Sequence, residues 1–363
     1  MRGLPRRAPM AEPPAAFDRL LALASLSLVG GLYLDGWAHA HRPGLESFFT
    51  PWHAVLYSGF GACAAVLAWA AWRARGVPDG RGASYAGAAV FVVGGVGDLL
   101  WHVAFGVEVS VEALVSPTHL LLATGMVLIV SSPLAAALHR RAPRESWTSI
   151  APALLCAALV LGLLTFFTQL AHPGARPWPH VGNRPPSGLV MLAPGWPVLP
   201  SIADGLLAED VAKSYGLAAV LLQTLLLLAI VLPLARRVDV PPGGFTLVLG
   251  LDGLLVALMR DHVGWAVAML AAGVAADAFF RKVRPAGSRA RLAVFATLVP
   301  VGLWTFWLVA LAAAGGVWWS VHMWAGTVAA SGLLGWGAAV VFSSASSDEP
   351  ARDPSPSALD KPR

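Results

Sequence analysis

Charge is scarce in this chain. Of its 363 residues only 12% are Asp, Glu, Lys or Arg, too few to coat a soluble domain of this size. Cysteine is scarcer still: Cys63 and Cys156 are the only two, and both fall inside apolar runs. That excludes a disulfide framework and any Cys-based metal motif. No ladder of Met or Cys runs along the apolar stretches, which argues against passage of a soft metal ion towards the cytoplasm. What is present is 57% hydrophobic, with a mean hydropathy of +0.67. Apolar runs of about 20 residues recur, the length that crosses a bilayer as a helix. The expected fold class is all-α, a polytopic membrane helical bundle whose constant partner is the lipid bilayer.

A net charge of +5 and a pI near 9.7 would suit nucleic acid, but the basic residues sit in short loops between spans, so no nucleic-acid partner is expected. The apolar pattern predicts ten transmembrane helices, near 18–38, 51–72, 84–105, 117–138, 149–171, 212–235, 244–260, 263–280, 291–313 and 320–342. They pair into five hairpins. Of the 25 Lys and Arg, all but Arg42, Arg176, Arg184, Lys213 and Arg260 fall in alternate loops or the termini. That bias puts both termini in the cytoplasm, and every hairpin opens to the outside of a bacterial-type inner (plasma) membrane. The expected organisation is a cytoplasmic tail over 1–17, with no cleavage site after the first apolar run, and a duplicated hairpin half over 18–139. A second membrane half spans 148–343, with a Pro- and Gly-rich outer loop at 172–211, and a polar, disordered tail covers 344–363.

The stretch LDGWAHAHRPGLESFFTPWHA, residues 34–54, places Asp35, His39, His41, Glu46 and His53 at the end of an apolar span. The next hairpin, GDLLWHVAFGVEVSVEALVSPTHLLLATG at 97–125, carries the same order of polar groups. Asp35 and His39 correspond to Asp98 and His102, both D-x-x-x-H; Glu46 corresponds to Glu112. Thr50-Pro51-Trp52-His53 corresponds to Ser116-Pro117-Thr118-His119. An internal duplication of one hairpin is the reading. In D-x-x-x-H the Asp and His share one helix face. Thr50 and Ser116 suit an N-cap with proline at the first helical position, so His53 and His119 enter the first turn of the returning helix, level with the Asp-His pair. Thr-Pro and Ser-Pro are also ordinary helix starts. Asp at a helix C-terminus, however, opposes the helix dipole, and charge inside a span is costly and usually functional. Two imidazoles and a carboxylate suit Cu(II), Fe(II) or Zn(II). Candidate ligands are Asp35, His39 and His53, and Asp98, His102 and His119. His41 is an alternative ligand, and Glu46 and Glu112 can orient a ring or ligate.

At these residues the chain resembles the C subunit of particulate methane monooxygenase and ammonia monooxygenase. ESFFTPWH, with Glu46, Phe49, Thr50, Pro51 and His53, is similar to that family's acid-T-x-F-T-P-S-H element, and DLLWH, Asp98 to His102, has the form of its D-x-x-W-H element. The resemblance covers about residues 30–125. Asp98 stands where the family's second site has Asn, and the spacing from His102 to His119 departs from the family's. The resemblance implies a copper cofactor, O2 activation, a small hydrophobic substrate at the outer face, and an electron donor and partner subunits. Iron or zinc are the other metals the ligand set admits.

The second half holds its own polar groups. Asp252, Asp261, His262 and His322 are candidates for a proton relay, while the tryptophans beside His322 read as an interfacial belt. Asp277, four residues before Arg281, reads as half of a local ion pair. Besides a copper enzyme, the residues admit a membrane protein that captures or handles copper, a proton-coupled transporter, and bis-His haem ligation.

Overall fold

A computed structural model describes residues 16–42, 50–106, 108, 111–140, 146–185 and 208–345. Glu46, the segment 1–15, the outer loop beyond 185 and the tail 346–363 lie outside the described residues. Among the described residues the chain is all-helical. The helices are α1 (Phe17–His41), α2 (Pro51–Ala74), α3 (Gly82–Phe105), the short α4 (Glu112–Val115), α5 (Pro117–Val130), α6 (Ser132–Arg140), α7 (Trp147–Phe167), α8 (Ala208–Arg237), α9 (Gly244–Arg260), α10 (Val263–Val283), α11 (Arg289–Ala313) and α12 (Val321–Ala345).

Among the described residues eight helices are long and apolar enough to cross a bilayer, and nine spans result when α5 and α6 count as one. This differs from the expected ten in two places. The fourth span is broken: α5 and α6 meet at 41°. Pro133 has no N–H to continue the helical ladder, and the Ser132 carbonyl beside it is taken by the Arg81 guanidinium at 3.0 Å. Arg81 was expected in an open basic loop. It is 6% exposed instead, ion-paired with Asp18 at 2.8 Å, and ties α1 and α3 to the bend. The other difference is α9, whose 17 residues rise about 25 Å, short of a hydrocarbon core about 30 Å thick.

Helix starts follow local chemistry. Thr50 Oγ1 accepts the His53 N–H at 3.1 Å, and Ser116 Oγ accepts the His119 N–H at 3.4 Å, each with proline at the first helical position. Asp277 of α10 does not pair with Arg281. Its carboxylate accepts the Phe245 and Thr246 N–H groups (3.1 and 3.0 Å) and the Thr246 hydroxyl (2.6 Å), capping the N-terminus of α9.

α7 is the most deeply buried helix and packs on α1, α9, α5 and α6. Two hairpins sit beside it, α1 with α2 and α3 with α5. Glycines let each pair approach closely. A Cβ on Gly59 would lie 2.5 Å from Leu28 Cα, and one on Gly31 2.7 Å from Leu56 Cα. A Cβ on Gly125 would lie 2.8 Å from Phe91 N, and one on Gly94 2.9 Å from Leu122 N. Close helix pairs in membranes use small residues in this way, because dispersion between backbones replaces the hydrophobic drive. α9 to α12 complete the bundle as neighbouring antiparallel helices.

Candidate metal centre

The caps and the glycine seams bring the motif residues together. In the α1–α2 hairpin, Asp35 Oδ2 lies 3.6 Å from His39 Nε2 and 3.4 Å from His53 Nε2. In the α3–α5 hairpin, Asp98 Oδ1 lies 3.5 Å from His102 Nδ1 and 3.2 Å from His119 Nε2. Within each triad one donor atom per residue lies within 4.8 Å of the others. A metal bound at 2.0–2.2 Å holds tetrahedral ligands about 3.4 Å apart, so the separations of Asp35 from His39 and His53, and of Asp98 from His119, suit a bound ion. Asp35 is 8% and Asp98 2% exposed, and Asp35 Oδ1 is buried with no hydrogen-bond partner. A carboxylate so placed requires a compensating cation.

The two triads differ in their surroundings. Asp98 Oδ1 accepts the Thr118 hydroxyl at 2.9 Å, and His119 Nδ1 meets Ser116 Oγ at 2.9 Å, which leaves Nε2 turned to Asp98. His102 Nδ1 donates to the Asp98 carbonyl at 2.7 Å, so its lone pair is on Nε2. In the first hairpin Trp52 occupies the position of Thr118 and offers no such hydroxyl.

Both triads line one cavity of about 350 Å3. Its apolar wall includes Leu56, Leu122, Met126 and Phe166, and the segment after α7 closes it with Gln169, Leu170, Ala175 and Arg176. Arg260, at the end of α9, completes the lining and donates a hydrogen bond to Gln169 Oε1. Tyr57 stands between the two hairpins in the same lining, its ring 6.4 Å from His53 and 5.9 Å from Phe91. The His39 and His53 rings lie 6.2 Å apart, and those of His102 and His119 6.0 Å apart.

Sequence reasoning missed Glu108, Tyr57, Gln169 and Arg176. The second glutamate of VEVSVE, Glu112, repeats the Glu46 spacing. Glu112 is exposed and lines a neighbouring pocket with Trp101 and Phe105, whereas Glu108 Oε2 stands 3.3 Å from His102 Nε2.

The remaining candidates lie outside the cavity lining. His41 donates through Nδ1 to the Trp37 carbonyl (2.8 Å) and meets Asp261 Oδ2 through Nε2 (2.7 Å), so neither nitrogen is turned to the triad. This joins α1 to the α9–α10 turn. His262 Nδ1 donates to the Gly174 carbonyl at 2.6 Å, and His322 is exposed at the start of α12. Asp252 is 2% exposed inside the bundle, with Oδ1 unpartnered and the Thr165 hydroxyl beside it. The tryptophans before His322 turn inward: Trp319 packs over Gly216, and the Trp318 indole donates to the Trp178 carbonyl at 2.7 Å.

Fold and site together define a membrane-helical protein with two His/Asp groups able to hold metal ions. Comparison with family models, with curated proteins and with solved structures finds no match to this chain.

Proposed function

We propose that this is an integral membrane copper protein whose two Asp-His-His sites face one cavity and act on a small hydrophobic substrate with O2. The observation that carries it is the convergence of two three-donor groups, each built on a buried Asp, on a single cavity with an apolar wall. Among the described residues no side chain belongs to both groups, so the reading is of two separate sites rather than one bridged pair. Equivalent glycines make equivalent contacts in the two hairpins, Gly31 and Gly59 in one and Gly94 and Gly125 in the other, which supports an internal duplication. With the basic loops cytoplasmic and the short α9 counted as a tenth span, both termini lie inside and the cavity opens at the outer face.

In this reading Asp35, His39 and His53 hold one ion, and Asp98, His102 and His119 the other. Copper would supply O2 binding and one-electron chemistry. The chain's own part is positional. Thr118 and Ser116 orient Asp98 and His119, the Gly seams set the donor spacing, and the wall of Leu, Met and Phe keeps water from the substrate. An electron donor and partner subunits complete the system, as in the C subunit of the membrane monooxygenases that residues 30–125 resemble.

The test is metal content by mass spectrometry, with EPR on the same sample, for protein in nanodiscs. Stoichiometric copper in wild type and its loss in the His53→Ala/His119→Ala double variant are expected, with the fold retained. No metal in either protein after loading with copper, iron and zinc refutes the reading. Buried Asp252 favours one competing reading, proton-coupled transport. That reading expects an Asp252→Asn variant to lose proton-driven uptake, and the copper reading expects unchanged copper content in it.

A further inference from the structure

We propose that Glu108 is a metal ligand of the second site, which makes the two centres chemically unequal; this rests on the metal reading above. His102 donates through Nδ1 to a backbone carbonyl, so only Nε2 can ligate. Glu108 Oε2 lies 3.3 Å from that atom, close to the separation of about 3.4 Å between two ligands of one ion. The Glu108 side chain is 11% exposed, and neither of its buried oxygens accepts a hydrogen bond. A carboxylate withdrawn from water with no donor is costly to keep charged unless a cation sits beside it. Glu108 also lines the cavity that both triads share.

Charge then separates the sites. Asp98 and Glu108 together neutralise a divalent first-row cation. Asp35, the one carboxylate of the first triad among the described residues, leaves a net positive charge. In a low-dielectric bundle the neutral centre is the more strongly retained. Two carboxylates also give the second site a harder donor set, suited to Co(II), Zn(II) and Fe(II) as well as Cu(II).

The experiment titrates Co(II) into the full chain in nanodiscs, reading dissociation constants and the visible d–d spectrum. A His53→Ala background isolates the second site, and a His119→Ala background isolates the first. Tighter Co(II) binding by the second site is expected. Glu108→Gln in the His53→Ala background should weaken it by at least about 10-fold and shift its spectrum. Glu112→Gln should change neither, and Glu108→Asp should recover part of the loss. Unchanged affinity and spectrum in a folded Glu108→Gln variant overturn the role of Glu108 while leaving the metal sites standing. Absence of Co(II), copper, iron and zinc from loaded wild type overturns both.

Discussion

Gly59→Ala tests whether helix spacing, rather than the ligands alone, makes the first site. The added Cβ would lie 2.5 Å from both Leu28 Cα and Leu28 N, backbone atoms that cannot rotate away. Ordinary contact begins at 3.4 Å, so α1 and α2 must part by 0.9 Å at this level. Gly59 is about 9 Å along α2 from His53 and touches no ligand. If the helices part as rods, the Asp35–His53 gap of 3.4 Å opens to about 4.3 Å. An ion spanning that gap would need bonds of about 2.6 Å where 2.0–2.2 Å is required. First-site affinity should therefore fall on the order of 10- to 100-fold, as when other supports of a metal ligand are removed. The second site, on the α3–α5 seam, should be unchanged. Gly125→Ala, whose Cβ would lie 2.8 Å from Phe91 N and from Gly87 O, should do the reverse. Co(II) titration in the His119→Ala and His53→Ala backgrounds reads each site alone, and helical content confirms the fold against an overpacking cost of about 1–3 kcal/mol. Equal weakening of both sites by either variant, or of neither, refutes the reasoning.

Two further outcomes follow from groups outside the cavity. His172, in the segment after α7, is 1% exposed, accepts the Gly174 N–H at 3.0 Å and packs edge-on against Trp265; burial pushes its pKa down from 6.5 to about 3. The unfolded state therefore binds the proton first. Stability contributed by neutral His172 is complete above pH 6.5 and is lost as pH falls from there towards 3, at up to about 1.4 kcal/mol per pH unit. Thermal unfolding in nanodiscs at pH 7, 5 and 4 should show a smaller acid loss in His172→Gln than in wild type, and parallel curves would refute the assignment. His41→Ala should remove the tie to Asp261 while leaving the metal content of both sites unchanged by mass spectrometry, whereas loss of the first-site ion would return His41 to the ligand set.

The parts of the site that were legible in the sequence are local. D-x-x-x-H sets two side chains on one helix face, and Thr50-Pro51 and Ser116-Pro117 set the phase of the returning helices, so each Asp-His-His group follows from a few adjacent turns. Glu108 escaped because the repeat spacing points to Glu112, the first residue of α4, and Glu108 lies ahead of that helix with no period of a regular element to place it. Arg81 and Asp277 escaped for another reason. Each satisfies backbone groups on a distant helix, and nothing in its own neighbours in sequence records that partner.

The sequence alone determined the membrane setting, the helix starts and the composition of each triad, because bilayer thickness, capping and the 3.6-residue period act over short stretches of chain. Only the tertiary structure decided that the two triads share one cavity. It also decided that the segment from Gln169 to Arg176 and Arg260 wall it, and that His41 turns away to Asp261. In a bundle whose helices are apolar on nearly every face, periodicity does not say which faces meet. That choice falls to close packing at Gly31, Gly59, Gly94 and Gly125, and to buried polar groups that must find partners across the bundle.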